Sequence, residues 1–221
     1  MYLFDELLEY GKRIDDEELK KMQSSLDCND VVNMQYTSGT TGFPKGVMLT
    51  HRNIVNNAYL VGKYQNMSDK DKLCIPVPFF HCFGCVMSTL VSVIYGMTMV
   101  PIEIFEAGKV LEAVDKEKCT ALYGVPTMFI MLQQHPRWEE ADFSRLKIVI
   151  SGGAPCPIPV FEKFWERGVD FKTGYGLTEA GPNTFWLPPE DVRRKPGSVG
   201  FPLFHIDVRV VREDGSECGP D

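Results

Sequence analysis

Between Met34 and Leu49 the chain reads MQYTSGTTGFPKGVML, a concentration of small and hydroxylated residues around a single lysine. Gly39, Gly42 and Gly46 let the backbone take positive φ and approach a ligand closely. Successive amide N–H groups in such turns point into a shared concavity that holds anions. Thr37, Ser38, Thr40 and Thr41 add hydroxyl donors, and Lys45 adds a point charge. Together these groups suit a polyphosphate. The spacing is not that of G-x-x-x-x-G-K-[ST], because Lys45 stands six residues after Gly39, behind Pro44 and ahead of Gly46. Pro44 biases Phe43 away from helix, so the loop should return to a strand, without help from a helix dipole. A flexible Ser/Thr/Gly linker is the other reading, but linkers do not usually set a proline–lysine pair between two strand-like runs.

The elements around this loop alternate. VVNMQY (31–36) and GVML (46–49) read as strands, and Thr50 can cap a helix over 51–65. LCIPV (73–77), TMVPI (98–102), TALYG (120–124), KIVISGG (147–153) and the start of VDFKTGYG (169–176) are strand candidates. Helical patterns fall between them, over 84–95, 107–118, 126–134 and 157–167. Such alternation is the signature of a layered α/β sheet. Ligands in these sheets sit outside the carboxyl ends of strands. Glycine-rich loops at 37–46, 151–155 and 174–181 each follow a strand candidate, so one site built from three loops is expected. Residues 1–30 read as a charged helical lead-in and 31–203 as the α/β core. HIDVRVV (205–211) alternates like a half-buried strand, with Asp214-Gly215 closing a hairpin, so 204–221 reads as the start of a β-rich subdomain.

Bulk properties exclude some classes. With 221 residues, 44% hydrophobic and 24% charged, the chain is of ordinary globular composition. A net charge of −7 and the lack of a basic stripe argue against nucleic acid as a partner. Seven cysteines, an odd number scattered in apolar context, are expected to be buried thiols in a reduced, cytoplasmic compartment; Cys82-x-x-Cys85 has no second pair to complete a metal site. The uncharged stretch from Cys82 to Ile102 is long enough to span a bilayer, but Gly84, Gly96 and Pro101 interrupt it. A buried helix stopped at Gly96 is the better parse, with no integral membrane segment.

YTSGTTGFPKG (36–46) resembles the phosphate-loop signature of the adenylate-forming superfamily of acyl-CoA synthetases, peptide adenylation domains and luciferase. PFFHCFG (78–84), SGGAP (151–155) and GYGLTEA (174–180) resemble its aromatic-histidine segment, its adenine-side glycine loop and its Tyr-Gly-x-Thr-Glu motif, in the family's order. NIVNNA and YGVPTMF point to medium- and long-chain fatty acyl-CoA ligases. The implied fold is the large N-terminal domain of these enzymes. The implied chemistry is attack of a small-molecule carboxylic acid on the α-phosphate of ATP, with Mg²⁺, then transfer of the acyl group from AMP to CoA. By match to the signature, Thr37, Ser38, Gly39, Thr40, Thr41, Gly42 and Lys45 hold the β- and γ-phosphates. Thr178 contacts the α-phosphate, and Glu179 binds the metal. Gly153, Ala154 and Pro155, together with Gly174, Tyr175 and Gly176, enclose adenine; Thr173 stands where relatives often carry an amide. His81 lies near the substrate carboxylate, so Lys45, His81, Thr178 and Glu179 form the implied catalytic set.

The aromatic segment lacks the acid that amino-acid adenylation domains commonly place there. An uncharged acyl tail is therefore favoured, housed by some of Phe80, Phe83, Tyr123, Val125 and Met128. Two alternatives stay open: an adenylating enzyme with a carrier-protein or other acceptor, and an inert nucleotide-binding module. The resemblance also implies motifs beyond residue 221, including a lysine on a mobile C-terminal domain. The chain is accordingly expected to be a fragment, inactive alone and prone to self-association through surface its missing parts would cover.

Overall fold

Along β3 (Lys72–Ile75), β5 (Ala121–Gly124) and β6 (Ile148–Ser151) nearly every residue is buried, the pattern of strands covered on both faces. In the computed structural model, which describes residues 3–38 and 42–219, these strands join β4 (Thr98–Pro101) and β7 (Phe171–Thr173) in one parallel sheet of order β4-β3-β5-β6-β7. The period of two sorts their side chains. Leu73, Ile75, Ala121, Tyr123, Ile148 and Ile150 face one layer, formed by helix α3 (His51–Tyr64), a π-helical segment (Phe83–Leu90) and α4 (Val91–Tyr95). Cys74, Leu122, Val149 and Phe171 face the other layer, formed by α5 (Ala107–Lys116), α6 (Pro126–Gln134) and α7 (Ile158–Glu166). An aromatic cluster fills that second layer, with Phe164 stacked on Phe171 at 4.7 Å and Phe129 edge-on to Phe171 at 4.9 Å.

The chain leaves β3 for β4 over one face and returns to β5 over the other, so the winding reverses between β3 and β5. That is the switch point at which parallel sheets open a ligand crevice.

Local signals behave as read. Thr50 caps α3 by accepting from the Asn53 amide, while the Asn53 side chain accepts from the Thr50 amide. Gly96, at φ 67°, ends α4, and among the described residues no helix is long and apolar enough to cross a membrane. The helix after His81 differs from an ordinary one: it begins at Phe83 with π turns, and Ser88 and Thr89 donate to the carbonyls five residues back.

Outside the sheet, α1 (Phe4–Gly11) and α2 (Asp16–Ser25) bury no residue. β1 (Val31–Thr37) and β2 (Lys45–Thr50) form an antiparallel ribbon in which only Gln35 and Leu49 are buried. A further two-stranded pair joins β8 (Phe185–Trp186) to β9 (Phe201–Pro202).

Two expectations need correction. Residues 205–211 form no strand, and Val208, Val210 and Val211 are exposed. Alternation yields a strand only where a neighbouring strand pairs with its backbone, and the Asp214-Gly215 turn pairs just the end of this segment: Val210 O accepts the Cys218 amide and Arg212 N donates to Ser216 O, both at 2.8 Å. The cysteines are all free, but only Cys74, Cys82 and Cys119 are buried; Cys28 is exposed beside Arg52, in a surface turn after α2, a helix that buries no residue.

Candidate active site

The segment after β3 turns sharply so that helix and strand can pack. A Cβ on Gly84 would lie 2.2 Å from the Pro78 carbonyl oxygen, so only glycine fits. The amides of Gly84 and Cys85 both donate to the His81 carbonyl at 2.9 Å. This holds His81 at the surface end of the turn, where its Nδ1 accepts the Phe83 amide at 3.1 Å. With Nδ1 occupied as an acceptor, a neutral ring carries its proton on Nε2, which is then a donor.

The loop after β7 is pinned at its base. Gly176 lies so close to the returning strand that a Cβ would come 1.9 Å from the Pro182 carbonyl oxygen. The Leu177 amide donates to Pro182 O at 2.9 Å, and both the amide and the hydroxyl of Thr184 donate to Tyr175 O. Asn57, on α3, then takes the backbone of Asn183 at both ends: its Nδ2 donates to Asn183 O at 2.7 Å, and its Oδ1 accepts Asn183 N at 3.2 Å. Both asparagines are buried, so the two bonds fix the loop to the sheet's covering helix. Thr178–Ala180 make one tight turn at the tip, packed against β2.

These two segments and the β6 loop enclose a cleft of about 260 Å³ lined by His81, Gly153, Tyr175, Thr178 and Glu179, among others. The Thr178 hydroxyl lies 3.4 Å from the Cys82 sulfur, which joins the His81 turn to the motif loop directly. Tyr175 is half exposed and braced edge-on by Phe185 at 5.6 Å, leaving a ring face open. Glu179 is exposed and makes no hydrogen bond or ion pair among the described residues. Among the described residues no group of three or more His, Cys, Asp or Glu side chains is placed to hold a metal. A single free carboxylate fits Mg²⁺, which keeps several waters and takes the rest of its ligands from phosphate.

The other expected residues divide. Gly174 and Gly176 line the cleft with Gly153, whereas Ala154 and Pro155 are exposed and outside its wall. Thr173 lines a small neighbouring cavity instead, with its Oγ1 buried and unpartnered. Thr37 stands opposite Lys45 in the ribbon register, and Lys45 is exposed at the start of β2. Ser38 and Gly42 are exposed, Gly42 at φ 88°; Gly39, Thr40 and Thr41 lie outside the described residues. Of the acyl-tail candidates, Phe83 lines the cleft, while Phe80 and Met128 line a separate apolar groove with Phe79 and Ile102. Tyr123 is core: fully buried, stacked on Phe83 and bonded through its hydroxyl to Gln65.

Sequence reading missed Asn57, Cys82, Asn183 and Lys172. Asn57 and Asn183 are 126 residues apart, so no local pattern could pair them. Lys172 is buried on β7 beneath the loop, donating to Leu187 O at 3.1 Å near the Trp186 ring. Burial pulls its pKa down to about 8, against the opposing pull of Asp170.

A parallel α/β sheet with a cleft built by the segments after β3, β6 and β7, holding a histidine, a half-exposed tyrosine and a free carboxylate, defines a nucleotide-binding domain of the layered α/β class. Residues 2–221 match the family description "AMP-binding enzyme", and the chain belongs to that family. It is 46% identical over 214 residues to the putative acyl-CoA synthetase YngI of Bacillus subtilis, covering 96% of this chain and 39% of that protein. It is 38% identical to the mitochondrial medium-chain acyl-CoA ligase ACSF2 of Danio rerio, covering 99% of this chain and 37% of that one. Among solved structures, o-succinylbenzoate coenzyme A synthetase (MenE) from Bacillus subtilis in complex with ATP and magnesium ion superposes with a TM-score of 0.78 at 33% identity, covering 88% of this chain and 40% of that chain. The chain thus spans about two fifths of the length of these relatives.

Proposed function

We propose that this chain is the nucleotide- and acyl-binding core of an AMP-forming acyl-CoA ligase acting on a hydrophobic carboxylic acid. The supporting observation is the convergence of His81, Tyr175, Thr178 and Glu179 on one cleft, with β2, the strand that starts at Lys45, packed against the Thr178 turn. In this reading Thr37, Ser38, Gly39, Thr40, Thr41, Gly42 and Lys45 hold the β- and γ-phosphates. Thr178 donates to the α-phosphate, and Glu179 takes Mg²⁺, which supplies charge neutralisation. The open face of Tyr175 stacks the base, with Gly153, Gly174 and Gly176 admitting it closely; Thr173 acts behind that wall, and Ala154 and Pro155 at its outer edge. His81 offers Nε2–H to the substrate carboxylate. Little covalent chemistry is asked of the protein, because adenylation rests on positioning and charge.

CoA is the acceptor favoured by the kinship to proteins named acyl-CoA synthetase and ligase. The apolar groove of about 570 Å³ beside Phe80 and Met128 supports an uncharged acyl tail. Seven free thiols fit a reduced, cytoplasmic setting. Exposed Val31, Met34, Tyr36 and Met48 on the ribbon support self-association of this chain when it is alone. The test is pyrophosphate exchange into ATP by the complete protein, with and without a panel of fatty acids, followed by thioester formation on adding CoA. Exchange that depends on acid supports the reading. ATP binding without exchange for any acid would leave only a nucleotide-binding module.

A further inference from the structure

We propose that Cys82 is a positioning residue: its S–H donates to Thr178 Oγ1 and so leaves the Thr178 hydroxyl proton free to be given into the cleft. The inference rests on the ligase reading of the site and adds a residue to it. Cys82 is buried at 5% exposure, lines the cleft, and places its sulfur 3.4 Å from Thr178 Oγ1. Among the described residues no other group bonds that hydroxyl oxygen. A hydroxyl has one proton to give and two lone pairs to receive with. If sulfur accepted the Thr178 proton, the hydroxyl would face a phosphoryl oxygen with lone pairs only. If sulfur donates, the hydroxyl keeps its proton for the ligand.

Two facts support this direction. Burial pushes the Cys82 thiol up, so it stays protonated at neutral pH. The competing acceptor for that proton is His81 Nδ1, but it is farther, at 3.8 Å, and already takes the Phe83 amide at 3.1 Å. The same sulfur therefore ties the histidine turn to a loop 96 residues away and sets the donor at its tip.

Acid-dependent ATP–pyrophosphate exchange in the complete protein tests this with Cys82→Ala, Cys82→Val, Cys82→Ser and Thr178→Ala. Loss of one oriented hydrogen bond should lower kcat about tenfold in Cys82→Ala, with KM for the acid within about twofold. Cys82→Val keeps the volume without the donor and should be as slow, which separates the bond from a void. Cys82→Ser restores an O–H donor and should recover most of the rate. Cys82→Ala combined with Thr178→Ala should be no slower than Thr178→Ala alone, because the two act through one group. A wild-type rate in Cys82→Ala, a serine variant as slow as alanine, or additive losses would each overturn the role of Cys82 while leaving the ligase reading intact. Absence of exchange in the wild type would overturn both.

Discussion

The cleft and the ribbon that packs beside its Thr178 turn are built by different means. The wall carrying His81, Gly153, Tyr175 and Thr178 hangs from a parallel sheet buried on both faces. Close-packed glycines and the buried Asn57–Asn183 pair pin it there. The arm carrying Thr37 and Lys45 is a two-stranded ribbon with only Gln35 and Leu49 buried. Such a ribbon is marginal by itself. The difference teaches where rigidity is needed in the proposed reaction: the base and the α-phosphate meet a preformed surface, while the triphosphate tail meets a weakly anchored ribbon. Binding loops are commonly drawn from the low-stability end of a fold.

Perturbing the sheet should give the largest effect. Phe171→Ala removes a ring that Phe129, Phe161 and Phe164 all touch, and should cost about 3–5 kcal/mol in urea unfolding. Lys172 comes next. Its folded pKa is about 8, below the unfolded value near 10.5, so between those values the unfolded chain binds the extra proton and stability rises with pH. Below pH 8 the buried charge costs roughly 3 kcal/mol. Lys172→Met should therefore flatten the pH–stability curve between pH 8 and 10.5; an unchanged slope would remove this account of Lys172.

Asn57→Ala strands an amide and a carbonyl of Asn183 and should cost about 1–3 kcal/mol, with pyrophosphate exchange falling alongside as the motif loop loosens. The smallest effect on stability belongs to the ribbon. Lys45→Ala should shift unfolding by less than about 0.5 kcal/mol because its side chain is exposed. Yet it should weaken ATP binding about tenfold by calorimetry, the loss of one charge-assisted contact. Unchanged affinity would break the division of labour between cleft and ribbon. Hydrogen exchange sharpens it further, since amides of β1 and β2 should exchange orders of magnitude faster than those of β5 and β6.

The sequence by itself determined the elements and the motifs. Short apolar runs alternating with helical patterns specified a layered α/β sheet, and Thr50 and Gly96 marked helix ends, because these are local choices of dihedral and burial. The hydroxyl-rich loop, the histidine segment and the Thr-Glu motif were legible as motifs for the same reason: each is a short contiguous run. Only the tertiary structure decided which of those residues share a wall. It set Thr173 behind the cleft, left Ala154 and Pro155 outside it, and left 205–211 without a strand partner. It also brought Asn57 to Asn183 and Cys82 to Thr178 across more than ninety residues. Hydrogen bonds of that kind depend on how layers dock, and docking leaves no periodicity in the chain.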